Sequence, residues 1–172
     1  MRDKSKRIAL CGMLCAMSTL LMLLGGAIPY GTYIVPVISG VVLIPVLREY
    51  GAGQMLMLWA AISLLSLILV PDKEMALMFV LLLGWYPAIK PVLDKLPRII
   101  MYIFKLVIFN AAIALIYTML IFVLNIPQES EGIVLVAITL VLGNVTFLIY
   151  DRMLVVMDNL YVKKYRRLLF KR

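Results

Sequence analysis

Few residues in this chain could carry out covalent or metal chemistry. The 172 residues include no histidine and two cysteines, Cys11 and Cys15, which lie four apart on one face of a predicted helix. That spacing is neither a CxxC redox pair nor a zinc set. No G-x-x-x-x-G-K phosphate loop occurs, and no carboxylate lies in the middle of a hydrophobic segment. Because no nucleophile, acid and base are placed together, we expect no catalytic residue, no metal and no cofactor, and we predict that the protein is not an enzyme.

A small set of polar side chains stands near the start of the second hydrophobic segment: Tyr30, Thr32, Tyr33 and Ser39. Pro36 lies within that segment, and its missing N–H frees the carbonyl of Thr32. Interrupted helices with irregular backbone often line the cavities of transporters. The four polar side chains are therefore predicted to bind a small, largely apolar or aromatic solute. The alternative is a kinked helix that only packs against its neighbours, and the sequence favours neither.

Two amides and one lysine lie inside other hydrophobic segments. Asn110 and Asn144 fall at similar depth, so we predict that they hydrogen-bond across a helix pair as a structural contact, with ligand binding as the alternative. Lys105 is expected to extend toward the nearest interface, in the direction of Asp151. A single lysine without a buried acid forms no proton relay, so no ion pathway is predicted.

The composition predicts the elements that position these residues. Of the chain, 65% is apolar and 15% is charged, and the mean hydropathy is +1.06. Soluble domains are roughly half apolar and a quarter charged, so we expect an all-α integral membrane protein. Six hydrophobic segments predict one transmembrane domain, residues 1–172, built as a compact bundle of six transmembrane helices. The predicted spans are 8–24, 32–47, 52–70, 75–89, 99–124 and 132–150, followed by a basic tail helix at 151–172.

The basic residues are concentrated on one side of this predicted bundle. If the N-terminus is cytoplasmic, sixteen of the 17 lysines and arginines fall on the inner side and Lys73 alone falls outside. This bias predicts that both termini are cytoplasmic, in a bacterial-type cell membrane. The clusters at the two ends are expected to contact anionic lipid of the bilayer. The net charge of +8 is held in these flanking clusters, which argues against nucleic-acid binding.

The sequence GWYPAIKP, residues 84–91, is typical of a helix that leaves a membrane. Asp72 is predicted to cap the other end of this helix by accepting from free backbone N–H groups. Asp72 and Lys90 are 18 residues apart, about 27 Å at helical rise, which is close to the thickness of the hydrocarbon core. Lys90 is therefore expected to snorkel into the cytoplasm. Pro87 and Pro91 each remove a backbone donor and are expected to bend the exit.

Small residues form a stripe on the first predicted span. Ala9, Gly12 and Ala16 share one helical face, where they let another helix approach closely, either inside the bundle or from another protein. Together with six short spans and both termini inside, the basic start leading into RIALCGMLCAMS resembles the substrate-binding S components of energy-coupling factor (ECF) transporters. The resemblance implies that the stripe docks on a transmembrane coupling subunit, which works with cytoplasmic ATPases. It also implies an outward-opening pocket for a vitamin-like or other micronutrient, closed by the loop between spans one and two.

Two other functions fit the same architecture. A scaffold similar to the rod-shape-determining membrane proteins of bacteria would bind protein partners and transport nothing. A small exporter that works as a homodimer would need no separate ATPase. Co-purification with an ATPase pair would separate the S component from the scaffold.

Overall fold

Every described element of the structure is helical. The computed structural model describes residues 2–26, 28, 31–125 and 133–165, and no strand occurs among them. The helices are α1 (Arg2–Gly25), α2 (Gly31–Val42), α3 (Ile44–Leu69), α4 (Lys73–Met78), α5 (Tyr86–Leu93), α6 (Arg98–Thr118) and α7 (Ile133–Leu160). The π-helical turns Phe79–Leu83, Met119–Val123 and Tyr161–Tyr165 continue α4, α6 and α7.

Five helical segments in the described part of the chain are long and apolar enough to cross a membrane, which is compatible with a multi-pass membrane protein. They are Arg7–Gly25, Ile44–Leu69, Lys73–Leu93, Arg98–Val123 and Ala137–Lys164. The remaining predicted span, 32–47, corresponds to the shorter apolar helix α2 and the first residues of α3. The all-α prediction is therefore confirmed, with α2 shorter than the span predicted for it.

Proline and glycine produce the two breaks around the start of α3. Pro45 has no N–H to donate to the carbonyl of Val41, so α2 ends at Val42 and α3 begins at Ile44. Gly51 then adopts φ 83° and ψ 174°, a conformation that interrupts the helix and is accessible essentially to glycine alone. The break predicted between the second and third spans, at residues 48–51, therefore occurs at Gly51.

The helix α4 begins at its predicted cap. Asp72 has extended backbone, and its Oδ1 accepts a hydrogen bond from the backbone N–H of Met75 at 3.0 Å. After the π-helical turn, Pro87 occupies the first turn of α5. Proline is tolerated there because the N–H groups of a first turn have no partner within the helix.

Side-chain contacts define the two ends of the bundle. At one end, here called the Asp72 end, the Thr32 hydroxyl donates to Asp72 Oδ2 at 2.6 Å. At the other, the Arg48 end, Arg48 forms an ion pair with Asp158. Thus α2 and the start of α3 run from the Asp72 end to the Arg48 end, and the rest of α3 returns after Gly51.

The interior consists mainly of two buried apolar clusters. The first includes Met22, Met55 and Phe79 and lies where α1 packs on α3. The second includes Tyr86 and Phe147 and joins α5, α6 and α7. The second cluster surrounds the polar residues described next.

Candidate functional site

Four charged side chains meet inside the bundle at the Arg48 end. Lys90 Nζ lies 2.5 Å from Asp151 Oδ1 and 3.2 Å from Asp94 Oδ2. Lys105 Nζ lies 2.9 Å from Asp151 Oδ2 and 2.6 Å from Asp94 Oδ1. Each carboxylate therefore bridges the same two ammonium groups. We call these four residues the charge network.

Three helices contribute to the charge network. Lys105 on α6 is 1% exposed, Asp151 on α7 is 4% exposed and Lys90 on α5 is 7% exposed. Asp94 follows α5 directly and is more exposed, so the network reaches the protein surface through it. Burying a charge is costly unless the charge is paired and hydrogen-bonded, and here two cations balance two anions. The arrangement can hold α5, α6 and α7 in one register.

Two tyrosines connect the charge network to its surroundings. Tyr86 Oη donates to Asp151 Oδ1 at 2.6 Å, so this carboxylate accepts from one hydroxyl and two ammonium groups. Tyr150 Oη donates to the backbone carbonyl of Leu83 at 2.9 Å. That carbonyl has no helical partner because Pro87, four residues later, has no N–H. The tyrosine hydroxyl therefore satisfies the acceptor that the proline leaves free.

Close packing fixes the positions of both tyrosines. The Tyr86 ring meets Phe147 edge to face, with ring centroids 5.0 Å apart. On the side of α2, a Cβ added to Gly40 would lie 2.6 Å from both Tyr150 Oη and the Leu83 carbonyl oxygen. Only glycine lets α2 come this close to the hydrogen bond between α7 and the π-helical turn.

Sequence reasoning predicted the direction of one lysine correctly and that of the other wrongly. The extension of Lys105 toward Asp151 is confirmed. The prediction that Lys90 snorkels away from the bundle is wrong, because its ammonium group is buried and bonded to Asp151. The expectation that Lys105 has no buried acid is also wrong. The missed signal is their common depth, since all three residues fall near one predicted interface.

A cleft of about 500 Å³ opens beside the charge network, between α3, α5 and α7. We call it the Arg48 cleft. Four charged residues line it, Arg48, Lys90, Asp94 and Asp158, together with apolar residues that include Leu47, Leu154 and Val155. Arg48 donates Nε and Nη2 to the two carboxylate oxygens of Asp158, which is a bidentate pair. This cleft lies at the opposite end of the bundle from the predicted solute site.

The residues predicted to bind a solute that the structure describes lie on α2. Thr32 donates to Asp72, as described above, and Tyr33 Oη donates to Glu74 Oε1 at 3.3 Å. The structure therefore brings both hydroxyls beside two carboxylates at the start of α4. Sequence reasoning did not include these two acids in the site, although both lie in the predicted outer loop between spans three and four, residues 71–74.

Of the other two residues predicted to bind a solute, the structure describes Ser39 and does not describe Tyr30. Ser39 is fully buried, two turns from Thr32, and its hydroxyl has no hydrogen-bond partner within the described residues. Tyr30 lies outside the described residues. The predicted binding role of all four residues stays a prediction.

The small-residue stripe on α1 faces away from the bundle. Ala9, Gly12 and Ala16 are all exposed. A Cβ added to Gly12 would meet nothing within 4 Å. Sequence reasoning left open whether the stripe packs internally or against another protein, and no described residue covers Gly12.

Asn110 on α6 and Asn144 on α7 form a reciprocal amide pair. Asn110 Nδ2 donates to Asn144 Oδ1 at 2.9 Å, and Asn144 Nδ2 donates to Asn110 Oδ1 at 3.3 Å. Each amide also donates to a carbonyl of its own helix, Leu106 or Leu140, at 2.8 and 2.7 Å. The predicted hydrogen bond across the helix pair is therefore observed. Because each amide makes both of its donations, the pair can lie at an apolar surface.

Comparison with known proteins identifies no related protein. A scan against protein-family models and searches of curated proteins and of solved structures find no match to this chain. The function must therefore be argued from the chain's own residues.

Proposed function

We propose that this chain is a multi-pass protein of a bacterial-type cell membrane with both termini cytoplasmic, and that it binds a small solute as the S component of an ECF-type uptake transporter. The Asp72 end would face outward and the Arg48 end would face the cytoplasm. The five long apolar helices and the distribution of lysine and arginine support this placement.

The observation that carries the proposal is the stripe of small residues on α1, which faces away from the rest of the bundle. An exposed line of small residues on a membrane helix lets a partner helix approach its backbone, and lipid chains need no such line. Ala9, Gly12 and Ala16 provide this line over two turns, and nothing described covers it. A transmembrane coupling subunit would dock there, with the ATPases bound to that subunit.

The proposed solute site lies at the Asp72 end, near Tyr30, Thr32, Tyr33 and Ser39. Hydroxyls and an aromatic ring are typical of pockets that hold a small, partly apolar ligand. The Ser39 hydroxyl is an unpaired polar group among the described residues, and a solute could satisfy it. The charge network would hold α5, α6 and α7 fixed while the α1–α2 side adjusts to the solute.

Co-purification tests this proposal. The tagged full chain, expressed in a bacterium that has an ECF coupling subunit and its ATPase pair, should retain those three proteins in mild detergent. The Gly12→Leu/Ala16→Leu variant should lose them, because both leucines occupy the docking face. Ala61→Leu, an exposed small residue on α3, is the matched control and should retain them.

Loss of the partners in the control as well as the variant would contradict docking through the stripe. Absence of any ATPase with the wild-type chain, alongside other stable partners, would favour the scaffold. For the solute, the Tyr30→Ala/Tyr33→Ala variant should lose uptake while it unfolds at the temperature of the wild-type chain. Unchanged uptake would place the solute elsewhere.

A further inference from the structure

The Arg48 cleft is not used by the proposed transport function, and its charges are arranged in an informative way. Its lining holds two cations, Arg48 and Lys90, and two anions, Asp94 and Asp158, so the formal charge of these four residues is zero. A surface with both signs at close range fits a ligand that carries both signs. A simple anion would meet the two carboxylates, and a simple cation would meet the arginine and lysine.

Arg48 and Asp94 remain accessible although they are paired, whereas Lys90 is buried. The Arg48 side chain is 52% exposed and that of Asp94 is 36% exposed. The Arg48 guanidinium has five N–H donors on three nitrogens. Asp158 accepts from two of these nitrogens, Nε and Nη2. Each carboxylate oxygen of Asp94 has one ammonium partner and a second lone pair. The cleft can therefore donate and accept without breaking the pairs that shape it.

The depth of the cleft indicates what kind of ligand meets it; this step rests on the membrane placement proposed above, and not on the solute or the ATPases. Lys90 lies 18 residues from the Asp72 cap, about 27 Å at helical rise. That distance takes it from one headgroup layer to the other, since the hydrocarbon core is about 30 Å thick. The Arg48 cleft then opens in the cytoplasmic headgroup layer, beside apolar side chains at the level of lipid chains.

We propose that the Arg48 cleft binds a phospholipid with a zwitterionic phosphoethanolamine headgroup. The phosphate oxygens accept from the exposed Arg48 guanidinium, with the buried charge of Lys90 nearby, and the ammonium donates to Asp94 and Asp158. Leu154 and Val155 provide an apolar wall for the start of an acyl chain. A volume of about 500 Å³ is within the usual range for a small-ligand pocket. The bound lipid contacts α3, α5 and α7 at the protein surface, next to the charge network that connects α5, α6 and α7 inside the bundle.

Two adjacent valines on α7 provide a matched test. Val155 lines the cleft and is 42% exposed, whereas Val156 does not line it and is 54% exposed. Val155→Trp should fill the cleft, and Val156→Trp should add the same ring at another surface. Asn159→Trp, at an exposed residue that also lines the cleft, is a second blocking variant that changes no core contact.

The full chain is purified in detergent, and binding of dioleoylphosphatidylethanolamine is measured by native mass spectrometry and by the shift in unfolding temperature. We expect the wild-type chain and Val156→Trp to bind this lipid alike, and Val155→Trp and Asn159→Trp to bind it at least tenfold more weakly. Dioleoylphosphatidylglycerol, which we expect to bind at the basic termini, should bind all four proteins equally.

Three results would overturn the proposal. Equal binding of phosphatidylethanolamine by the blocking and control variants would place the lipid elsewhere. Phosphatidylglycerol that competes for the cleft at equal strength would refute recognition of a zwitterion. Glycerophosphoethanolamine that binds as tightly as the lipid would show a soluble ligand. None of these results affects co-purification with ATPases, so the two proposals fail separately.

Discussion

Asp151 is the residue whose loss should be most costly, because it is the buried partner of two lysines. In Asp151→Asn the side chain keeps its shape, but Lys90 and Lys105 share only the more exposed Asp94. Breaking a buried ion pair by removing one partner typically costs about 3–5 kcal/mol. We expect a loss of that size in the free energy of unfolding, measured in detergent or mixed micelles.

The matched control is Asp158→Asn, on the same helix. Asp158 pairs with Arg48, whose side chain is 52% exposed, and exposed pairs typically contribute about 0–1 kcal/mol. A second test replaces both partners: Lys105→Met/Asp151→Leu should be more stable than Asp151→Leu alone, since it leaves one fewer buried cation. Equal losses for Asp151→Asn and Asp158→Asn would contradict the role of burial.

The amide pair should contribute less than the charge network. Asn144→Leu removes both interhelical hydrogen bonds with Asn110, and such bonds contribute about 0.5–2 kcal/mol in membrane proteins. Thr146→Leu is the control, because the exposed Thr146 hydroxyl donates to the Leu142 carbonyl of its own helix. We expect a lower unfolding temperature for Asn144→Leu than for Thr146→Leu. The reverse order would show that the pair does not stabilise the contact of α6 with α7.

At the scale of the element, two nearby glycines distinguish the effect of backbone strain from the effect of steric clash. A Cβ added to either Gly51 or Gly53 would meet nothing within 4 Å, but only Gly51 has a positive φ, 83°. Gly51→Ala should therefore destabilise the protein by about 1–3 kcal/mol. Gly53→Ala, in a regular helix, should stabilise it by about 0.5–1 kcal/mol. Equal effects on the unfolding temperature would mean that Gly51 is helical in solution.

The boundaries of several helices were predictable because they depend on residues that interact with, or bend, the backbone next to them. The Asp72 cap and the break at Gly51 follow from local chemistry, so the sequence alone locates them within a few residues. The long apolar segments are equally local signals. The end of α2 was placed too late, at residue 47, because Pro45 lies in the first turn of the next helix.

The direction of Lys90 could not be predicted in the same way. Each residue turns a helix by about 100°, so the side that faces the core depends on how α5 packs on α6 and α7. A lysine near an interface is usually solvated. The Lys90 side chain points into the bundle because Asp151, which is 61 residues later in the sequence, lies next to it in the fold. The Arg48 cleft escaped prediction for the same reason, since three separate helices line it.

At the scale of the whole molecule, the two ends of the bundle have different chemistry. The Asp72 end holds hydroxyls of α2 beside carboxylates that begin α4, with Lys73 donating to the Leu67 and Val70 carbonyls. The Arg48 end holds the charge network and the cleft. Burial of Lys90 and Lys105 removes two cations from the solvated surface at that end, yet the other basic residues there still greatly outnumber the single lysine opposite.

That imbalance predicts the orientation in the membrane, because basic loops stay in the cytoplasm during insertion. In a chain with Cys11→Ser and Cys15→Ser, a single cysteine is introduced by Lys73→Cys or by Lys95→Cys. A membrane-impermeant maleimide added to intact cells should label the Lys73→Cys variant, and should label the Lys95→Cys variant only after the cells are permeabilised. Lys95 is exposed at the Arg48 end, so lack of labelling in intact cells reflects the membrane and not burial in the protein. Labelling of the Lys95→Cys variant in intact cells would invert the bundle, place the Arg48 cleft in the outer leaflet and separate the α1 stripe from any interaction that depends on cytoplasmic ATPases.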